Sequence, residues 1–251
     1  MSVPEFIDGH AHLDAISSLD PILAEARVAG VEAIIAVGMN RESNEKTLAI
    51  AERHKGFVFP ALGYHPWEIR EPEIAGNLEF LASNMDRAVA IGEVGIDYKI
   101  RVKKALQREV FGEIIRLAVR HDKPLILHCR FSHERVFDMI GEGGVKKAVF
   151  HWYSGSLDLL RHIVAAGYHI SATPALCYSE AHRRAIEAAP LERILLETDC
   201  PVVYGERESR PRDVLTTARE VAGIKGLRIE EVAAVTSRTT RQFYGGLVSE
   251  V

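Results

Sequence analysis

The chain has 251 residues, of which 47% are hydrophobic and 26% charged, and its net charge is −4 at pH 7. This length is sufficient for one large hydrophobic core but short for two, and the negative charge excludes a strongly basic protein that coats nucleic acid. Three cysteines without a Cys-x-x-Cys pair argue against a disulfide framework and favour a reducing, cytoplasmic location.

Two further sequence features bear on location. Residues 1–5 lack the basic start and the apolar run of a signal peptide. No stretch of the chain approaches the ~20 apolar residues of a membrane helix. We therefore expect no membrane partner.

Eight short apolar runs alternate along the chain with longer segments of helical period. The runs are 6–7, 33–37, 58–62, 88–91, 125–127, 148–150, 169–172 and 194–196. The predicted helices are 18–29, 41–54, 74–86, 103–122, 133–141, 156–166, 178–189, 211–223 and 229–243. This alternation is typical of parallel βαβ units. Eight units without a linker favour a single (β/α)8 TIM barrel domain of the α/β class, residues 1–251, over an open doubly wound sheet.

The first apolar run leads into Asp-Gly-His-Ala-His, which places His10 and His12 two residues apart. Residues two apart in a strand point to the same side, so the two imidazoles would project together into the mouth of the barrel. An isolated His-x-His pair is also common at surfaces and in turns. Together with the polar residues at the other strand ends, the pair predicts a shared metal ion.

Glu93 follows the fourth run and is flanked by Gly92 and Gly95, which would allow the backbone to bend and other groups to approach. A carboxylate has two oxygens and can therefore bridge two cations ~3.5–4 Å apart, the spacing of hydrolytic two-metal sites. A glutamate in a tight turn would give the same local sequence. We interpret Glu93 as the bridging ligand because other candidate metal ligands lie at the ends of neighbouring strands.

Three more candidate ligands end later runs: His128 the fifth, His151 the sixth and Asp199 the eighth. A single histidine in such a position is more often a hydrogen-bonded core or rim residue, but two on adjacent strands facing Glu93 predict the shell of a second metal. Asp199 is placed to bind a metal and to accept a proton from a water that the metal has acidified. Glu197, two residues earlier, is interpreted as a residue that orients a ligand.

Other residues near the strand ends fit the handling of a substrate. Arg130 lies two residues after His128 and could bind a phosphate with its two-pronged guanidinium, and Pro66 would fix the position of His65. Trp152 and Tyr153 could stack on a base or a sugar, or simply pack under their loop.

In order, these motifs are Asp-x-His-x-His, Gly-x-His-Pro, Gly-Glu-x-Gly-x-Asp, His-x-Arg, His-x-x-Ser-Gly and Glu-Thr-Asp. The chain resembles the TatD family of metal-dependent deoxyribonucleases, among the amidohydrolase-like barrels, over essentially its whole length. The resemblance implies a divalent-metal phosphodiesterase that acts on DNA at single-stranded 3′ ends, with two ions of Zn²⁺, Mn²⁺ or Mg²⁺. It implies as metal ligands His10, His12, Glu93, His128, His151 and Asp199.

The resemblance also gives His65 and Arg130 the role of holding the scissile phosphate, beside Trp152 and Tyr153, and makes Asp199, Glu93 and His65 the catalytic residues. Two rim loops depart from the family pattern: residues 208–211 read Glu-Ser-Arg-Pro, where members commonly have Asn-x-Pro, and Trp152-Tyr153 stands where many have Cys and Phe. These departures bear on substrate preference.

Two alternative functions are open to the same fold. One is hydrolysis of an ester or amide on the same barrel. The other is a purely binding protein, which would be expected to have lost metal ligands, and none of the six is missing.

Overall fold

The computed structural model describes residues 4–245 and residue 247 of the chain; the other terminal residues, including 1–3 of the segment inspected for a signal peptide, lie outside this description. Eight parallel strands form one sheet in which each strand pairs with the next along the chain, in the order β1 to β8. They are β1 Phe6–Ala11, β2 Val31–Val37, β3 Val58–Leu62, β4 Ala90–Asp97, β5 Leu125–Arg130, β6 Ala148–Phe150, β7 His169–Ala172 and β8 Ile194–Leu196.

The sheet curls until its first strand meets the segment that follows its last one. Ala11 forms a parallel bridge with Cys200, and the His12 amide donates to the Cys200 carbonyl at 2.7 Å. Below this point Asp8 accepts hydrogen bonds from the Thr198 amide (2.9 Å) and hydroxyl (2.6 Å). These contacts close a barrel, and the predicted (β/α)8 fold is confirmed.

Nine helices of the described chain surround the barrel, close to the nine predicted segments. They are α1 Leu19–Val28, α2 Arg41–Arg53, α3 Ile74–Asn84, α4 Lys104–Arg120, α5 His133–Glu142, α6 Leu157–Ala165, α7 Glu180–Ala188, α8 Val214–Lys225 and α9 Ile229–Tyr244. The longest, α4, buries Val110, Ile114, Leu117 and Ala118 at helical spacing. Within the described residues, no helix combines the length and the apolar character that crossing a membrane requires.

Three strands extend beyond the C-terminal ends of their apolar runs. β1, β4 and β5 continue into polar residues because the ladder of backbone hydrogen bonds continues there, whatever the side chains are. His10, Glu93 and His128 therefore lie within strands, which corrects the prediction that they follow the strand ends. A short hairpin, β9 (Val203–Tyr204) with β10 (Arg207–Glu208), was not predicted.

Candidate metal centre

The structure brings six polar side chains from five different strands together at the carboxyl ends of the strands, where the mouth of a barrel normally carries its active site. They are the predicted ligands His10, His12, Glu93, His128, His151 and Asp199. Most of them line a cavity of about 530 Å³ that opens to solvent. All but His12 and His128 are buried.

Glu93 lies at the middle of this cluster, and its two oxygens face different neighbours. Oε2 lies 3.5 Å from His10 Nε2 and 3.3 Å from His12 Nε2. Oε1 lies 2.9 Å from His128 Nδ1 and 3.3 Å from His151 Nε2. Oε2 thus faces a first group, His10 and His12, and Oε1 faces a second, His128 and His151. The two groups meet where the His10 and His151 rings stack, with their centroids 4.4 Å apart.

Asp199 completes the first group. Its Oδ1 is 3.5 Å from His10 Nε2 and 3.6 Å from His12 Nε2. The Asp199 backbone has a left-handed φ of 52°, and its amide donates to the His10 carbonyl at 3.0 Å. This contact with β1 fixes the residue in a conformation that non-glycine residues seldom adopt, and it holds the carboxylate over the His10/His12 pair.

Three of the four predicted imidazole ligands are fixed by an acceptor on the side away from Glu93. His12 Nδ1 donates to the Val37 carbonyl (3.0 Å), His128 Nε2 to Asp97 Oδ2 (3.2 Å) and His151 Nδ1 to Glu197 Oε1 (2.9 Å). A neutral imidazole that donates through one nitrogen has its lone pair on the other. In each of these residues that second nitrogen faces the centre, as a metal ligand requires.

Asp97 was not assigned a role from the sequence. It is buried, and its Oδ2 accepts from Trp67 Nε1 (2.7 Å) as well as from His128. Burial alone raises the pKa of Asp97, but these hydrogen bonds and one from the Lys99 amide bring it down to about 2. A usable signal was present, because Glu93 and Asp97 are four residues apart in one strand and so share a face.

His65 lies 3.5 Å from Glu93 Oε1 and differs from the other imidazoles in its hydrogen bonds. Its Nδ1 accepts from the Trp67 amide at 3.1 Å, at the start of a short 3₁₀ turn that begins with Pro66. Burial and the nearby His128 lower the pKa of His65 to about 4, although Glu93 opposes this. The neutral ring therefore carries its proton on Nε2 and faces the centre as a hydrogen-bond donor, whereas a metal ligand needs a lone pair there.

The carboxylates make the centre attractive to cations. Burial works against a charged imidazole, yet Glu93 and Asp199 raise the pKa of His12 to about 9, and Glu197 and Glu93 raise that of His151 to about 10. Burial would raise the pKa of Glu93, but the surrounding imidazoles hold it well below its usual value. A divalent cation would compete with the imidazole protons for the same carboxylates, so its binding would release protons.

The predicted substrate-binding residues fall into two groups. Arg130 is exposed at the rim, and Trp152 is half-buried beside it, and both line the cavity. Tyr153 does not, which corrects the prediction that it contacts substrate. Trp152 has a left-handed φ of 45°, and the ring of the following Tyr153 is fully buried, with its hydroxyl donating to the Ser156 carbonyl at 2.7 Å.

The centre fits metal ions on the chemistry of its donors, since imidazole nitrogens and carboxylate oxygens converge there. Each imidazole that gives up its proton to an incoming cation directs a lone pair inward. Imidazoles and carboxylates that converge at the mouth of a (β/α)8 barrel are the arrangement of a metal-dependent hydrolase, and this chain is one.

The comparison with known proteins gives the family. The sequence profile described as TatD related DNase matches residues 7–245, and the chain belongs to this family, as predicted. It is 32% identical to the human deoxyribonuclease TATDN3 over 257 residues, which cover 95% of this chain and 94% of the relative. It is 30% identical to the 3′-5′ ssDNA/RNA exonuclease TatD of Erwinia amylovora over 243 residues, 90% of this chain and 93% of that one.

A solved structure agrees with this assignment. The crystal structure of YJJV, a TatD homolog from Escherichia coli K12, superposes with a TM-score of 0.88 at 27% identity and covers 96% of this chain and 98% of that one.

Proposed function

We propose that this chain is a divalent-metal-dependent deoxyribonuclease that removes nucleotides from the 3′ ends of single-stranded DNA. The observation that carries the proposal is the position of Glu93, whose two oxygens face different pairs of imidazoles. This arrangement supports two ions of Zn²⁺, Mn²⁺ or Mg²⁺ with Glu93 between them. The other ligands would be His10, His12 and Asp199 for one ion and His128 and His151 for the second.

Ions bound there would lower the pKa of a water molecule toward neutrality and offset negative charge on the phosphate in the transition state. Asp199 accepts the proton of the attacking water. Burial raises the pKa of this carboxyl above its usual value, although His151, His10 and His12 counteract the rise.

The phosphate itself would be held by two donors that the metal ligands leave free. His65 Nε2 faces the centre with its proton and donates to a non-bridging oxygen. Arg130 is exposed beside the cavity, and within the described chain no carboxylate lies within 4.0 Å of its guanidinium. A guanidinium without a partner can form two parallel hydrogen bonds with a phosphate.

Three observations support DNA as the substrate. The matched family is described as TatD related DNase, and the human relative is named a deoxyribonuclease. The Erwinia relative is named a 3′-5′ exonuclease of single strands, which supports this polarity. The cavity of about 530 Å³ is of the size that encloses one small-molecule unit, so a strand would enter it by its end.

The test is hydrolysis of a 3′-labelled single-stranded oligonucleotide by protein loaded with Mn²⁺, Mg²⁺ or Zn²⁺. We expect early release of the label as a mononucleotide, and a loss in kcat of about 100-fold or more for Asp199→Asn. Asp122→Asn, which alters an exposed carboxylate paired with Lys146 at the opposite end of the barrel, should cleave at the wild-type rate. Undiminished cleavage by Asp199→Asn would refute the role of this residue.

The polarity and the substrate class are separated in the same assay. Internal cuts, or loss of a 5′ label first, would refute 3′-end trimming. Turnover of carboxylic esters or amides together with no cleavage of DNA under any of the three metals would refute a nuclease.

A further inference from the structure

A second cavity, of about 500 Å³, is lined by residues of the β5–α5 and β6–α6 loops, which also contribute to the cavity of the metal centre. At two places along the chain, one residue lines the first cavity and the next residue lines the second. Arg130 lines the first and Phe131 the second, and in the same way Ser154 lines the first and Gly155 the second. A strand held with a phosphate at Arg130 would therefore continue directly into the second cavity.

Phe131 stands in this cavity in a way that folding does not explain. Its side chain is 75% exposed, so the ring gains little from burial. Its φ is 56°, in the left-handed region, which is unfavourable for a bulky residue. A residue that costs stability in both respects is commonly retained for what it contacts.

The backbone on both sides of Phe131 is anchored. The Arg130 carbonyl accepts from the Tyr98 amide at 2.9 Å. Ser132 is buried, its hydroxyl donates to the Ile96 carbonyl at 2.5 Å, and its carbonyl accepts from the Val136 amide. The exposed ring is thus held on a fixed loop between β5 and α5 and would lose little freedom on stacking.

The charges around Phe131 differ on its two sides. Arg130 lies on the side of the metal centre, and Arg135 lines the second cavity. In the described chain neither guanidinium forms an ion pair. Glu134 and Asp138 also line the second cavity. Their carboxylates can accept hydrogen bonds from the amino groups on the edge of a base, whereas they would repel a phosphate.

We infer that the second cavity is a subsite for one nucleobase of the DNA strand, next to the nucleotide cut at the metal centre, and that Phe131 is the surface on which this base stacks. This inference rests on the proposed nuclease function. The occupant is a base of the substrate itself, because the subsite is continuous with the catalytic cavity at Arg130 and Ser154. Aromatic rings bind bases of any sequence in this way.

The test is a double-mutant cycle between the protein and the DNA. Phe131→Asn removes the ring and retains a residue that tolerates the left-handed conformation. The DNA partners are single-stranded oligonucleotides with one abasic residue at the second, third or fourth position from the trimmed end. Rates are measured as kcat/KM for release of the terminal nucleotide.

We expect Phe131→Asn to lower kcat/KM on the intact strand about tenfold. At one of the three positions, an abasic residue should lower kcat/KM of the wild type by a similar factor. The same abasic residue should lower kcat/KM of Phe131→Asn very little further. Phe131→Trp should retain the wild-type rate, and the melting temperature of Phe131→Asn should be unchanged or higher. Val119→Ala, which alters an exposed side chain at the far end of α4, should behave as the wild type.

Two results would overturn the subsite and leave the nuclease in place. One is a wild-type rate for Phe131→Asn on intact DNA. The other is a loss that is the same on every abasic substrate, since this would show that the ring and the base do not interact. If the wild type cleaves no DNA with any of the three metals, the proposed function itself fails.

Discussion

Asp97 connects the metal centre to the loop that follows β3. The carboxylate accepts from His128 Nε2 on one side and from Trp67 Nε1 on the other. It therefore determines which nitrogen of His128 is free to face Glu93. Groups that hold a metal-binding imidazole in this way are worth ~10–100-fold in metal affinity.

We predict that Asp97→Asn weakens metal binding by about 10–100-fold, because an amide accepts these hydrogen bonds more weakly and its NH₂ group can displace one of them. Competition with a fluorescent chelator would measure the affinity. Asp122→Asn serves as the matched control, and circular dichroism would verify the fold. An unchanged affinity in Asp97→Asn would show that Asp97 does not control the ligand.

At the scale of residues, the sequence predicted what strand alternation determines and failed where the backbone turns. His10 and His12 converge because residues two apart share a side of a strand. The same rule would have predicted that Asp97 lies on the same face of β4 as Glu93. Tyr153 could not be predicted, because the left-handed φ of Trp152 turns the following ring inward and no local pattern signals it.

β4 is the element on which the centre depends most. It carries Glu93 and Asp97 on one face and is paired with β5 in a register that sets Gly95 opposite His128. At Gly95 the φ is 143°, and a Cβ would lie 2.1 Å from the His128 carbonyl oxygen. Glycine is required there by both the conformation and the close approach of the strands.

We predict that Gly95→Ala lowers the free energy of unfolding by about 3 kcal/mol, because the methyl group must separate β4 from β5 at His128. Urea unfolding would measure this. Gly112→Ala, in the middle of α4, is the control: its Cβ would meet only Arg116 Nη1, at 4.0 Å, so we expect a gain of up to about 1 kcal/mol. Equal stability of Gly95→Ala and the wild type would contradict this account of the strand pair.

At the scale of elements, apolar runs and helical periodicity located all eight barrel strands and nine helices. They did not give the polar ends of β1, β4 and β5, because only the pairing with a neighbouring strand shows that those residues are extended. The β9–β10 hairpin also has tertiary contacts that no local pattern shows: the centroid of the Tyr204 ring lies 5.6 Å from that of Trp152 and 6.5 Å from that of Tyr178.

The closed barrel brings candidate ligands from five separate strands into one centre. Closure between Ala11 and Cys200 brings Asp199 to the His10/His12 pair, although these residues lie near opposite ends of the chain. The net charge of −4 offers DNA no long-range attraction. Productive binding must therefore come from local positive charge, which bound cations and Arg130 would supply.

The most direct test of the central claim is the number of metal ions that the chain binds. Protein stripped with a chelator, reloaded with Mn²⁺ or Zn²⁺ and freed of excess ions would be analysed by plasma mass spectrometry. If Glu93 bridges two sites, the wild type should retain two ions per chain and His128→Ala one. Retention of one ion or none by the wild type would contradict a two-metal centre.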